Sequence, residues 1–111
     1  MDKEVIKHTE GFVKLRASLN RKVVHLKDLM VTVIEFSNGT MEQPDQPHSH
    51  LHEQITYVAE GSLKFFIENR EYILHKGDVF KVASNLKHSI QTLTEHVTLI
   101  DSFSPIREDF L

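Results

Sequence analysis

The chain has no cysteine and no tryptophan, and only three prolines and four glycines in 111 residues. Without cysteine there is no disulfide framework, no thiol nucleophile and no Cys-ligated zinc or iron–sulfur site. Neither charge sign dominates: 13 Lys and Arg stand against 16 Asp and Glu, a formal net charge of -3. The basic footprint of a nucleic-acid binder is missing, so no nucleic-acid partner is expected. Long apolar runs are missing too. Leu29–Ile34 is interrupted by Thr32, and a membrane span needs roughly 20 apolar residues. The N-terminal stretch MDKEVIKHTEGF is charged and lacks the apolar core and cleavage site of a secretion signal. No membrane association and a cytoplasmic location are therefore expected. The residue in excess is histidine, eight in all. A metal in this chain must rely on imidazole and oxygen.

The length fits one domain over residues 1–111, with a core at about residues 22–104 and a C-terminal tail at 105–111. Short β-rich runs recur between turn residues roughly every 8 to 12 positions, the pattern of an all-β sandwich or barrel. Strands are expected at Lys22–His25, Leu29–Phe36, Gln54–Ala59, Leu63–Glu68, Glu71–Leu74, Asp78–Val82, His88–Leu93 and Val97–Phe103. Phe12–Asn20 fits a short helix or a strand equally well. The polar stretch SNGTMEQPDQP, Ser37 to Pro47, is a loop within the domain. With no helices to cover sheet edges, a closed double-sheet barrel is favoured, and many small barrels enclose a ligand cavity.

The densest chemistry is His48-Ser49-His50-Leu51-His52-Glu53-Gln54. In an extended strand alternate residues share a face, so His48, His50, His52 and Gln54 would point one way. Neutral imidazoles at that spacing can converge on one divalent ion, with an amide oxygen completing a mixed shell. A solvated, His-rich loop edge is the competing explanation. One strand cannot wrap an ion, so a further ligand must come from elsewhere, and His88 is the candidate. It opens a strand after the Gly77 and Asn85 turns. His8, His25, His75 and His96 have no partner spacing and are expected at the surface.

These two segments resemble the cupin family. His48, His50, Gln54 and Gly61 stand in the register of its first motif, and Gly77, Asn85 and His88 in that of its second. Ala83 replaces the usual proline, Gln54 the usual glutamate, and Thr92 the common terminal asparagine. The loop before His48 is also longer than usual. The resemblance covers the chain from about Val23 onward. It implies a cupin-type double-sheet jelly-roll barrel with a short N-terminal extension. It also implies one divalent metal ion per chain on His48, His50, Gln54 and His88, with a bend near Leu51 that excludes His52. Ligand type leaves nickel, zinc, manganese and iron open. Cupins of this size form homodimers, often by exchanging an N-terminal strand, here within Val5 to Leu19.

In the run Val97-Thr98-Leu99-Ile100-Asp101-Ser102-Phe103, Asp101 is a carboxylate on an otherwise apolar parity. A buried carboxylate is costly unless paired or used. Arg107 follows and can reach back to it; a plain Asp–Arg clamp on the tail is an equal alternative. The ending FSPIREDFL, with HSHLHEQITYV upstream, resembles the KdgF-type pectin-degradation cupins. That resemblance implies action on monomeric 4,5-unsaturated uronates, converted to linear 5-keto-4-deoxyuronate. It places catalytic and substrate roles on Asp101, Phe103 and Arg107. Asp101 would shuttle protons, Phe103 would wall the sugar face, and Arg107 would grip the carboxylate of a small anionic sugar with its planar fork. Ile106 replaces the second proline of the group's usual SPPRED. Two alternatives remain: a metal cupin acting as a dioxygenase or isomerase on another metabolite, and a cupin that binds a sugar without converting it.

Overall fold

The pleat alternates side chains between faces, and burial follows that alternation along the strands that carry the core. Along one C-terminal segment Val97, Leu99, Asp101 and Phe103 are buried between half-exposed neighbours. Gln54, Thr56 and Val58 alternate in the same way with exposed Glu53, Ile55 and Tyr57. The computed structural model describes residues 4–111. It contains β1 (Phe12–Arg16), β2 (Leu19–His25), β3 (Met30–Phe36), β4 (Glu53–Glu60), β5 (Ser62–Ile67), β6 (Arg70–His75), β7 (Val79–Val82), β8 (His88–Thr92) and β9 (Val97–Ser104). The ambiguous Phe12–Asn20 segment is thus a hairpin, and β2 starts at Leu19, earlier than its β-branched residues suggested.

All pairings are antiparallel. They form a six-stranded sheet, β1-β2-β3-β9-β4-β7, and a three-stranded sheet, β6-β5-β8. The all-β double-sheet expectation is met. The hydrogen bonding, however, is divided between two sheets and does not close into one ring. One exposed edge is protected differently. The loop after β3 lies along β8, with Met41, Asp45 and His48 donating backbone N–H to the carbonyls of Thr92, Ile90 and His88. That covers β8 without a closed barrel.

Val58, Phe80, Val82, Val97 and Leu99 from the large sheet meet Leu63, Phe65 and Ile67 from the small one. Phe65 and Phe80 stack at 4.0 Å between centroids. This apolar core fills one end of the sandwich. Toward the other end, the inner face of the large sheet turns polar. Register puts Thr32 opposite Asp101 and Asp101 opposite Thr56, one row across three strands. The next row carries Met30, Phe103 and Gln54.

Gly61, in the β4–β5 turn, has φ +81, and a Cβ there would collide with the His96 carbonyl oxygen. Only glycine fits that approach. Asn85 also has positive φ, 67. Its N–H donates to the His50 carbonyl, and the Ser84 hydroxyl donates to Leu51 O. These bonds tie the turn before His88 to the segment carrying His50.

Candidate metal centre and cavity

His48 and His88 face each other through a two-way backbone bridge, His48 N to His88 O at 3.0 Å and His88 N to His48 O at 2.9 Å. Their rings lie 4.3 Å apart, and His50 stands 4.8 Å from His88. One ring nitrogen from each of the three falls within 4.8 Å of the others. Strict strand parity would have added His52, but β4 begins only at Glu53. The bonds from Ser84 and Asn85 tie down the chain at residues 50 and 51; His52, its ring 5.7 Å from that of His50, lies outside the trio and lines a separate groove with Ile106 and Asp109. His8, His25, His75 and His96 are exposed, as expected.

Proton positions follow from the partners. His88 Nδ1–H donates to Leu86 O at 2.9 Å, which leaves a lone pair on Nε2. That Nε2 is buried and has no hydrogen-bond partner among the described residues. His50 Nδ1–H donates to His52 O at 2.9 Å, so its Nε2 carries a lone pair as well. Gln54 directs its amide nitrogen to the Thr56 hydroxyl at 2.9 Å and to Asp101 Oδ1 at 3.5 Å. This fixes the amide orientation and turns Oε1 to within 3.2 Å of His50 Nε2. Two acceptor atoms then face each other with no proton between neutral partners, an arrangement that a cation satisfies. Burial opposes the imidazolium form, pushing His88 down to about 4 and His50 also down. Three imidazoles, two of them held neutral by burial, and an oriented amide oxygen suit a divalent metal.

Beside this cluster lies a cavity of about 200 Å³ whose lining includes His48, Gln54, His88, Asp101, Phe103 and Arg107. Asp101 forms its floor, 4% exposed. It accepts the hydroxyl of Thr56 at Oδ1 and that of Thr32 at Oδ2, 3.2 Å away. Burial pushes its carboxyl up, against the opposing pull of those hydroxyls. Phe103 contacts the His50 ring edge-on at 5.9 Å. The cavity thus brings together His48, Gln54, His88, Asp101, Phe103 and Arg107, with His50 behind Phe103 and beside His88.

Arg107 departs from the expected geometry in one respect. Its fork is occupied by Asp109, Nη2 to Oδ2 at 2.8 Å and Nε to Oδ1 at 3.3 Å, so no Asp101–Arg107 clamp forms. The guanidinium stacks on Phe110 at 4.1 Å, whose residue belongs to the 3-10 turn Glu108–Phe110. Arg21 from β2 covers Phe110 at 3.9 Å and also lines the cavity. Sequence reasoning missed Arg21 and Phe110. The signal for Arg21 was its place between Leu19 and Val23 on an apolar parity, a position hidden when the strand was started at Lys22.

A family model described as the cupin domain matches residues 32–103. The pectin degradation protein KdgF of Dickeya dadantii is 39% identical over 100 residues, covering 88% of each chain. The structure of KdgF from Halomonas sp. superposes with a TM-score of 0.86 at 30% identity, covering 100% of both chains. An RmlC-like cupin from Shewanella frigidimarina gives 0.87 at 28% identity, covering 99% of this chain and 97% of that one. With its paired sheets, imidazole trio and full-length similarity to KdgF proteins, the chain belongs to the cupin family.

Proposed function

We propose that the chain is a metal-dependent enzyme that promotes conversion of monomeric 4,5-unsaturated uronates to linear 5-keto-4-deoxyuronate. The observation that carries this reading is Asp101, a buried carboxyl on the cavity floor, linked through Gln54 to the imidazole cluster. Similarity to a pectin degradation protein supports the substrate class. A divalent metal on His48, His50, His88 and Gln54 supplies Lewis-acid polarisation of substrate oxygens when bound.

The reaction is an isomerisation that needs no co-reactant. The hemiacetal loses the proton of its C1 hydroxyl, the bond from C1 to the ring oxygen breaks, and an aldehyde and a C5 enol result. Loss of the enol proton and gain of a proton at C4 give the C5 ketone. Asp101 moves these protons, and its raised affinity for a proton suits the task. Oδ2, with Thr32 as its single partner among the described residues, is the oxygen that accepts and returns the proton. Arg107 holds positive charge over the cavity, where it favours an enolate, and Phe103 forms an apolar wall.

Proton NMR of unsaturated galacturonate with metal-loaded protein tests this reading. Asp101→Ala is expected to slow the conversion by about 10²–10⁴-fold, and Arg107→Ala to slow it as well. Unchanged rates in both would remove those roles. A homodimer belongs to the same proposal. It is supported by the open edge strand β1, which exposes Val13 and Leu15, and sedimentation equilibrium measures it.

A further inference from the structure

The cavity lining includes two guanidinium groups, Arg21 and Arg107, one stacked at 3.9 Å and the other at 4.1 Å on the ring of Phe110. Their engagements differ. Arg107 is gripped in its fork by Asp109. Arg21 has, among the described residues, no hydrogen bond or ion pair; its aromatic contact uses the face of the group and leaves the in-plane N–H donors uncommitted. Burial and the neighbouring Arg107 charge both lower the Arg21 pKa, and Asp109, held in the Arg107 fork, offsets them only in part. A second anion on the free donors of Arg21 adds to that relief.

Register aims Arg21 at the same cavity as the chemistry. Arg21 pairs with Ile34, and Ile34 with Leu99, so the arginine sits two strands from β9 and one side-chain repeat from the Asp101 row. Strand spacings put the two Cα atoms roughly 12 Å apart. A long arginine side chain with a bound carboxylate fills that interval and leaves the adjacent carbons near Asp101.

We propose that Arg21 is the carboxylate anchor of this cavity and sets its preference for acidic over neutral sugars. The inference rests on the uronate reading above and reassigns the grip expected of Arg107. Loss of a two-point charged hydrogen bond raises Kd by roughly 10- to 150-fold. Binding of D-galacturonate and of its methyl ester is measured by calorimetry on metal-loaded wild-type, Arg21→Met and Arg70→Met proteins. Turnover of unsaturated galacturonate is followed in parallel by NMR.

The expected result is that wild type prefers the acid, Arg21→Met binds acid and ester alike, and Arg70→Met, which removes an exposed arginine outside the cavity, keeps the preference. A preference retained in Arg21→Met, or lost equally in Arg70→Met, overturns the anchor. Wild-type turnover with an undiminished Arg21→Met preference refutes the anchor while the uronate reading stands. No turnover, with galacturonate still bound through Arg21, refutes the reading while the anchor stands.

Discussion

Thr56→Val keeps side-chain volume nearly constant and removes one hydroxyl from the cavity floor. That hydroxyl donates to Asp101 and accepts the amide of Gln54. Thr56 is 0% exposed, so water does not replace it. A hydrogen bond to a charged group contributes about 1.5–3 kcal/mol and a neutral one about 1 kcal/mol, and both partners stay buried when the hydroxyl goes. Part of this is offset because a polar group no longer has to be desolvated. The net expectation is a loss of roughly 2–3 kcal/mol, or about 1–2 M in the urea midpoint at the usual slope. Chelator-treated protein at fixed concentration is the right sample, because metal and association both shift apparent stability. Thr32→Val removes one bond and should lose about half as much. The double variant with Asp101→Asn should show clear coupling, as residues in one network do. A Thr56→Val unfolding free energy within about 0.5 kcal/mol of wild type would refute the idea that this row holds the carboxylate in place.

His88→Ala should reduce bound metal well below one equivalent by elemental analysis of untagged protein, whereas His52→Ala should leave it unchanged. Gln54→Glu removes the donor to Thr56 and Asp101 and adds a second acid; the metal-free protein should melt lower, and metal should restore more stability than in wild type. Gly61→Ala forces a Cβ onto the His96 carbonyl and should destabilise by about 3 kcal/mol or more, seen as a collapsed urea midpoint or insoluble expression.

The strands from β3 onward were readable because alternation and turn residues agree along them. β1 and the start of β2 were not, since Lys14, Arg16, Asn20 and Arg21 weaken the apolar signal at an edge hairpin. Within the candidate site, His48, His50, Gln54 and His88 stood out by spacing, yet parity alone would have added His52. The chain there is tied down by hydrogen bonds from Ser84 and Asn85, residues more than thirty positions away. Asp101 was visible as a charge on an apolar parity. The Arg107–Asp109 grip was not, because a flexible arginine chooses among nearby acids by geometry that spacing does not encode. Arg21 was lost with the strand boundary.

The loop from Ser37 to Pro47 has a second consequence. It shields the hydrogen-bonding edge of β8, and it delivers His48 to the cluster. Ligand geometry and edge protection therefore depend on one stretch of backbone. Whatever ties down His48 also holds a strand edge shut against pairing with a neighbouring molecule. A metal held by His48 would also hold this edge closed, and chelated samples are expected to cloud on storage before metal-loaded ones.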